Sequence, residues 1–258
     1  MSTLKITIGD IIGMGPHKLA CGDCRDTPFV AKLFGEERAS LILLDPPYGV
    51  QYVEGKAGFT KSKTRHVPIA NDHFQSDAEY RIFTKAWLEA VKPHITKKNA
   101  LYCFNSDKMI FALREGMLDA GWKFSQLLIW AKTQAVLGRM DYAIQHELIA
   151  LGWYGTHEFH KSKDKTLIVY PKPSKSVLHS TMKPVGLLRR LILNSSRTGD
   201  IVYDGFLGSG STLIAAEDTG RRCFGVELSL EYCHIIIDRY EKYTGKKAVV
   251  LSRSEDDK

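Results

Sequence analysis

The sequence has no apolar run long enough to cross a membrane, and its first residues lack the charged and then apolar pattern of a secretory leader. We therefore expect a soluble, cytoplasmic protein without a membrane partner. Cysteine is scarce and odd in number, with five in 258 residues, which argues for reduced thiols. One C-x-x-C pair, Cys21 and Cys24, has no second pair at metal-ligand spacing, so we expect no metal site.

Two nucleotide-binding patterns are incomplete. The glycine-rich segment 205–212 follows a predicted strand and precedes a predicted helix, but no G-K-[ST] follows it, which counts against a P-loop. It carries G-x-G without the third glycine, which disfavours a nicotinamide-dependent oxidoreductase. Glu227 ends the next predicted strand, where an acid can bind ribose hydroxyls, so this region predicts only some adenosine-containing ligand.

The composition is that of a globular and basic protein. A hydrophobic content of 44% supplies a normal core, and the formal charge of +7 favours a polyanionic partner. Many soluble proteins are merely basic, but here lysines and histidines concentrate in two segments, 50–75 and 155–182. Two basic loops suit contacts to phosphates better than an evenly charged surface does.

The most informative stretch is an apolar run, residues 41–44, followed by Asp45-Pro46-Pro47-Tyr48. The run predicts a buried strand, and Asp45 then lies at its carboxyl end, where open parallel sheets bind ligands. The two prolines fix the backbone between the carboxylate and the aromatic ring. A carboxylate, a carbonyl and an aromatic face are therefore predicted to be held together.

This set suits the activation of an amino group. An exocyclic amino group on a planar base is a poor nucleophile because its lone pair is delocalised into the ring. Two acceptors for its hydrogens would free that lone pair, and Asp45 and the carbonyl of Pro46 are two such acceptors. Tyr48 can stack on a base and face a cation. The alternative interpretation is a proline-rich turn, with Tyr48 as ordinary packing.

The D-P-P-Y motif after an apolar strand resembles the catalytic motif of S-adenosylmethionine-dependent amino-methyltransferases, which methylate adenine N6 or cytosine N4 in DNA. The order of D-P-P-Y, recognition segment, K-P helix and F-x-G-x-G loop resembles the β-type of this family, from about Gly22 to Gly245. The form it resembles is the short, stand-alone DNA adenine methylase of phages and prophages. That resemblance also includes Gly138-Arg139, Gln145-His146-Glu147 and Met182-Lys183-Pro184.

The resemblance implies a single α/β domain over residues 1–258, Rossmann-like and with a circularly permuted motif order. Its sheet would be mostly parallel, with seven strands, helices on both faces and an antiparallel edge pair formed by residues 124–131 and 147–153. Residues 50–75 would form a mobile basic loop. Residues 155–182 would form a small target-recognition insertion.

The resemblance also implies roles for individual residues. Asp45, Pro46, Pro47 and Tyr48 match the catalytic motif. In the cofactor site, Lys183 would lie near the carboxylate of S-adenosylmethionine, Glu227 would bind its ribose and Asp23 its adenine. The remaining positions assigned to the cofactor are Cys24, Asp204, Phe206, Gly208, Gly210, Ser211 and Thr212. From the residues alone, Asp23 fits a helix N-cap equally well.

The implied function is site-specific methylation of adenine N6 in double-stranded DNA, with base flipping, in a restriction-modification or related setting of a bacterium or phage. The family also allows a homodimer. Cytosine N4 is the alternative target because D-P-P-Y is shared, although the family leans towards serine in place of Asp45 for cytosine. A DNA-binding protein of this fold without turnover is a further alternative, which the intact motifs oppose.

Two features depart from the family pattern. Gly205 stands where the family usually has proline, which loosens the loop but leaves its glycines intact. The insertion at 155–182 is shorter than the recognition segments of restriction-associated relatives. We therefore expect weaker sequence specificity, or recognition that needs more than one subunit.

Overall fold

A long mixed sheet carries helices on both of its faces. We describe it from a computed structural model, for residues 4–49, 75–135, 141–160, 164–172 and 182–254. Nearly all of the predicted mobile loop lies outside these described residues. The described residues on its two sides, Gly49 and Gln75, are in contact: the backbone N–H of Gln75 donates to the carbonyl of Gly49 at 2.9 Å.

The regular elements follow one another along the chain. The strands are β1 (Ile11–Met14), β2 (His17–Cys21), β3 (Ala39–Leu44), β4 (Ile95–Asn105), β5 (Lys123–Ala131), β6 (His146–Trp153), β7 (Thr156–His157), β8 (Leu167–Val169), β9 (Ile201–Asp204), β10 (Arg222–Glu227) and β11 (Val249–Ser252). The helices are α1 (Thr27–Phe34), α2 (Asp77–Val91), α3 (Ile110–Asp119), α4 (Val185–Ser195), α5 (Ser211–Asp218) and α6 (Leu230–Thr244), with a 3-10 turn at Lys92–His94.

The strand order in the sheet is β11-β1-β2-β10-β9-β3-β4-β6-β5-β8, and the short β7 pairs with β4 off this path. The five central strands β2, β10, β9, β3 and β4 all run parallel to one another. Strand β6 runs antiparallel to β4 and to β5. The carboxyl ends of the central strands therefore lie at the same edge of the sheet as the beginning of β6 and the end of β5.

Local sequence explains where the main elements begin. The apolar run of β3 lies between β9 and β4 and is buried throughout its last four residues. Helix α2 begins at a capping box, in which Ser76 and Glu79 satisfy each other's backbone N–H groups. Pro184 directly precedes α4, where its missing N–H leaves no hydrogen bond unmade.

Two faces of the sheet are covered by different helices. Helices α1, α2 and α3 pack on one face, around buried residues such as Phe34, Trp87 and Leu113. Helices α4, α5 and α6 cover the other face, with Leu191 and Ile236 among their buried residues. In the described ranges, no helix is both long and apolar enough to span a membrane.

The α/β fold with helices on both faces is confirmed, but the predicted number of seven strands is wrong. The extra strands lie at the periphery: β1 and β11 extend the sheet beyond β2, and β8 lies outside β5. The antiparallel pair of β5 and β6 is present but is not the outermost pair, because β8 pairs with β5. These strands have only three or four residues each, too few for a periodic pattern to stand out in the sequence, which is why they were missed.

Candidate active site

The first part of the site lies at the carboxyl end of β3. Asp45 directly follows this strand, and each of its oxygens faces a different donor: Lys183 Nζ lies 2.7 Å from Oδ2, and the Tyr48 hydroxyl donates to Oδ1 at 2.9 Å. Lys183 Nζ also lies 3.3 Å from the Tyr48 hydroxyl oxygen. Pro46 is buried and Pro47 is half-buried between the two predicted catalytic side chains.

Glu147 and Lys132 complete this group. No role was predicted for either residue, although Glu147 belongs to the segment Gln145-His146-Glu147 of the family resemblance. Glu147 Oε2 lies 3.1 Å from Lys183 Nζ and 3.4 Å from the Tyr48 hydroxyl oxygen, and Oε1 lies 2.7 Å from Lys132 Nζ. Glu147 is near the start of β6, and Lys132 directly follows β5. We call the five residues Asp45, Tyr48, Lys132, Glu147 and Lys183 the carboxylate–lysine cluster.

Charges in the carboxylate–lysine cluster are matched, two carboxylates to two ammonium groups. Burial would raise the pKa of Glu147, but Lys183 and Lys132 outweigh it and hold this pKa at about 2. Burial would lower the pKa of Lys183, but Asp45 and Glu147 raise it instead. Burial raises the pKa of Asp45, and Lys183 opposes that shift. The two carboxylates therefore differ: the pKa of Asp45 is raised and that of Glu147 is lowered, although both face Lys183.

The second part of the site is the glycine-rich loop between β9 and α5. Gly208 and Gly210 have φ angles of 53° and 80°, in the left-handed region that favours glycine. The N–H of Gly208 donates to Glu227 Oε2 at 2.7 Å, and the N–H of Gly210 donates to the carbonyl of Leu207 at 2.8 Å. The loop therefore bends tightly around the carboxylate of the next strand.

Side chains from other helices fix this loop. The ring of Phe206 lies 5.8 Å from that of Phe83 in α2, centre to centre. Arg239 of α6 donates through Nη1 to the Ser209 carbonyl at 2.8 Å and to Ser211 Oγ at 3.2 Å. Arg239 was not predicted, because its neighbours in the sequence show only the pattern of a packed helix.

Two carboxylates, Asp204 and Glu227, end the neighbouring strands β9 and β10. Asp204 Oδ1 accepts from the N–H of Phe206 at 3.0 Å, and Glu227 Oε1 accepts from the N–H of Ser229 at 2.9 Å. Neither carboxylate forms an ion pair with another described residue. Burial raises the pKa of each to about 7, although a hydrogen bond from Thr212 opposes the shift at Asp204 and backbone N–H groups oppose it at Glu227.

The two parts of the site are adjacent. Strands β3 and β9 pair in parallel, with Ile42 opposite Tyr203, so Asp45 and Asp204 both lie just beyond the end of this pairing. The charge of Asp45 also contributes to the raised pKa of Asp204. A ligand at the glycine-rich loop would thus lie beside the carboxylate–lysine cluster.

Asp23 and Cys24 lie after the end of β2, at the same edge. Asp23 accepts from Arg25, with Nε 3.0 Å from both carboxylate oxygens. The N-cap of α1 is Asp26 rather than Asp23, so the alternative reading of Asp23 as that cap is wrong. Cys24 is buried, and a Cβ at Gly205 would lie only 3.1 Å from Cys24 Cβ. The glycine that replaces the family's usual proline is therefore in close contact with Cys24.

The structure brings most of the predicted site residues to one edge of the sheet. The ammonium group of Lys183 lies on Asp45 and Glu147, and its predicted place near the carboxylate of the cofactor stays a prediction. Gly138-Arg139 lies outside the described residues. Among the residues that are described, no group of three or more His, Cys, Asp or Glu side chains is arranged to hold a metal ion.

The sequence matches a family model described as DNA methylase over residues 39–238, which is most of the chain. The chain is 28% identical to the Type II methyltransferase M.HinfI of Haemophilus influenzae, over 90% of this chain and 69% of the relative. It is 25% identical to the Type II methyltransferase M2.DpnII of Streptococcus pneumoniae, over 80% of this chain and 83% of that relative.

Solved structures show the same fold. The PvuII DNA methyltransferase, which is cytosine-N4-specific, superposes with a TM-score of 0.70 at 15% identity, covering 93% of this chain and 94% of the other. The complex of M1.HpyAVI with SAM superposes with a TM-score of 0.62 at 19% identity, covering 86% of this chain and 98% of the other. At these identities the likeness establishes the fold of this chain and nothing finer.

Proposed function

The chain belongs to the DNA methylase family, and from that membership we propose that it transfers a methyl group from S-adenosylmethionine to the N6 amino group of adenine in double-stranded DNA. One observation carries this proposal. A carboxylate held among hydrogen-bond donors, Asp45, lies beside a glycine-rich loop whose two carboxylates have no cationic partner among the described residues. Asp45 suits an amino group, and the two carboxylates at the glycine-rich loop suit a cofactor with hydroxyl groups and positive charge.

The residues around the glycine-rich loop fit S-adenosylmethionine. Glu227 suits the ribose hydroxyls, and Asp204 suits the positive charge that the ligand carries on its ammonium or sulfonium group. The backbone of Gly208 and Gly210 leaves room for the close approach of a ligand to the start of α5, where helix N–H groups favour a carboxylate. The complex of M1.HpyAVI with SAM, which shares the fold, supports this choice of cofactor.

The reaction needs few groups from the protein. S-adenosylmethionine supplies an electrophilic methyl group when bound. The target base is first flipped out of the duplex, at a cost of a few kcal/mol of unstacking. Tyr48 then stacks on the base, while Asp45 and the carbonyl of Pro46 accept its amino hydrogens. The nitrogen lone pair would thereby be freed to attack the methyl carbon in line, so that the methyl–sulfur bond breaks as the nitrogen–carbon bond forms and the sulfonium leaves as a neutral thioether. The negative charge of Asp45 would stabilise the positive charge that develops on nitrogen until one amino proton is lost to solvent.

Cytosine N4 is the second candidate target. The same acceptors would serve either amino group, and a cytosine-N4-specific enzyme shares the fold with a TM-score of 0.70. Adenine is favoured because Asp45 stands where members that modify cytosine tend to have serine. A homodimer and a phage-like origin stay predictions.

The test is to incubate the protein with S-adenosylmethionine and unmethylated duplex DNA, digest the DNA to nucleosides and identify the product by mass spectrometry. N6-methyladenine is the expected product. N4-methylcytosine would retain the mechanism but refute the choice of base. Neither product, with cofactor binding intact, would indicate a protein that binds DNA without turnover or that acts on another acceptor such as RNA.

A further inference from the structure

The carboxylate–lysine cluster poses a problem for the proposed function, because both oxygens of Asp45 are already hydrogen-bonded. Lys183 Nζ lies 2.7 Å from Oδ2, and the Tyr48 hydroxyl donates to Oδ1 at 2.9 Å. Each oxygen can accept a second hydrogen bond, but the ammonium group of Lys183 offsets the negative charge that would polarise the target amino group, so Asp45 serves that group best when its present donors turn to another acceptor. The displaced donor must then find another acceptor, since an unpaired ammonium group is costly at a site with little water.

Glu147 is an acceptor within reach of both donors. Its Oε2 lies 3.1 Å from Lys183 Nζ and 3.4 Å from the Tyr48 hydroxyl oxygen. Each donor that occupies Asp45 thus already has the same Glu147 oxygen as its second neighbour. A shift of well under the length of a hydrogen bond moves either donor from Asp45 to Glu147.

Glu147 is itself held firmly from the other side. Its second oxygen, Oε1, lies 2.7 Å from Lys132 Nζ, and the Lys132 side chain is only 6% exposed. The charges alternate along a chain of four groups, in the order Lys132, Glu147, Lys183 and Asp45. The exposed fractions of these side chains are 6%, 20%, 10% and 30%, so Asp45 is the end most open to a substrate.

We propose that Glu147, fixed by Lys132, is a positioning residue that takes over Lys183 and the Tyr48 hydroxyl when Asp45 accepts the target amino group. This inference rests on the proposed function. No proton changes place in the exchange, and the cluster stays neutral throughout. Asp45 remains charged, gains a free oxygen and leaves no ammonium group unpaired.

Two other roles for Glu147 are less consistent with its contacts. A general base would need a carboxylate that takes up a proton near neutral pH, but Lys183 and Lys132 outweigh burial and hold the pKa of Glu147 at about 2. A purely structural role, joining β6 to the region before α4, would be served by Lys183 alone. It would give no reason for the Tyr48 hydroxyl to lie between Asp45 and Glu147.

The test compares Glu147→Gln with the wild-type protein in steady-state methylation of DNA, with the binding of S-adenosylmethionine measured on the same samples. We expect kcat to fall by about 10²-fold because Lys183 then stays on Asp45, whereas the Kd of the cofactor stays within about threefold. Glu147→Asp retains the charge and should recover part of kcat. The matched control is Glu89→Gln, at an exposed glutamate of α2 that pairs with Lys85 of the same helix, and it should leave kcat unchanged.

A double-mutant cycle makes the test independent of the stability of any one variant. If Glu147 acts through Lys183, then Glu147→Gln should lower kcat by less than about threefold in a Lys183→Gln background. Wild-type kcat in Glu147→Gln, additive effects in the double mutant, or a loss of cofactor binding that accompanies the loss of kcat would each overturn the inference. A wild-type protein that transfers no methyl group would instead refute the proposed function.

Discussion

Two pairs of carboxylates lie at one edge of the sheet, and their surroundings differ. Asp45 and Glu147 face two ammonium groups, Lys183 and Lys132, at distances of 2.7 to 3.1 Å. Asp204 and Glu227 face backbone N–H groups and have no cationic partner among the described residues. The pKa of Glu147 is accordingly held at about 2, whereas burial raises those of Asp204 and Glu227 to about 7.

The difference indicates what each pair is built to do. A carboxylate with a cationic partner has its charge compensated without a ligand, so the end of β3 is organised before a substrate arrives. A buried carboxylate without such a partner is stabilised only when a ligand brings donors or positive charge. We therefore assign the chemistry to the first pair and cofactor binding to the second.

Among substitutions outside the D-P-P-Y motif, replacement of Lys183 by methionine should have the largest effect, because it removes the ammonium group that Asp45 and Glu147 share. Without the ammonium group, the pKa of Asp45 rises further, because burial and the charge of Glu147 are then opposed only by the hydrogen bond from Tyr48. A larger fraction of Asp45 is then protonated at any given pH, so kcat should fall by about 10²- to 10³-fold and recover partly as the pH is raised. Steady-state assays from pH 6 to pH 9 measure this.

The affinity for S-adenosylmethionine separates the two assignments of Lys183. If the lysine serves Asp45, the Kd of the cofactor should stay within about threefold in Lys183→Met. A rise in Kd of tenfold or more, with kcat retained at saturating cofactor, would indicate that Lys183 binds the cofactor carboxylate. It would contradict the assignment of Lys183 to Asp45.

Glu227→Gln should have the next largest effect, and on the other half of the site. Loss of a charged hydrogen-bond acceptor for the ribose should weaken cofactor binding by about 10- to 100-fold. At saturating cofactor, kcat should remain close to that of the wild type, since Glu227 does not contact the carboxylate–lysine cluster. Calorimetric titration gives the Kd of S-adenosylmethionine, and saturation kinetics give kcat. A Kd equal to that of the wild type would show that the glycine-rich loop is not the cofactor site.

The pH dependence of cofactor binding should be a smaller effect, and it tests whether Asp204 and Glu227 must be ionised to bind the cofactor. Asp204 and Glu227 have pKa values raised to about 7, so each must lose a proton before it can serve as an ionised acceptor. The Kd of S-adenosylmethionine should therefore rise as the pH falls below about 7, by about tenfold per unit for each such proton. In Glu227→Gln the slope should decrease. A Kd that is constant from pH 5.5 to pH 8 would contradict this account.

The smallest effect concerns the stability of the protein without cofactor. The pKa of Asp204 rises from 3.8 to about 7 on folding, so its contribution to the free energy of unfolding decreases as the pH rises from about 4 to about 7. The shift sets an upper limit of about 4 kcal/mol. Asp204→Asn keeps an acceptor for the N–H of Phe206 and removes the charge, so at pH 8 it should raise Tm by a few degrees.

Replacement of a carboxylate by its amide in the pair Asp45 and Glu147 should lower the stability of the protein, whereas Asp204→Asn should raise it. Glu147→Gln leaves Lys132 and Lys183 with one carboxylate fewer, so it should lower the free energy of unfolding by about 3 to 5 kcal/mol. Thermal unfolding at pH 8 measures both variants. If both substitutions destabilise to the same extent, the distinction between the paired and the unpaired carboxylates is wrong.

The sequence predicted those parts of the site that come from parallel strands. Asp45, Asp204 and Glu227 each stand at the end of an apolar run, and such ends meet at one edge of a parallel sheet. Glu147 and Lys132 were missed for a topological reason. Strand β6 is antiparallel and brings its beginning to that edge, so the position of Glu147 depends on a strand direction that its local sequence does not encode.

The peripheral strands and the partner of Lys183 could not be predicted for other reasons. Strands β7 and β8 have two and three residues, too short for a periodic pattern. Lys183 lies 138 residues after Asp45 in the sequence. Its neighbours in the sequence do not show whether its ammonium group pairs with Asp45, with Glu147 or with the carboxylate of a cofactor. Only the three-dimensional structure shows that Asp45 and Glu147 lie within reach.

The most direct test of the central claim is a calorimetric titration of S-adenosylmethionine into Asp45→Ala, a variant in which kcat should fall by about 10³-fold or more. We predict that the Kd of the cofactor stays within about threefold of the wild-type value, because in our proposal Asp204 and Glu227 bind the cofactor and Asp45 binds the target amino group. Loss of cofactor binding in this variant would contradict the division of the site into a catalytic pair and a cofactor-binding pair.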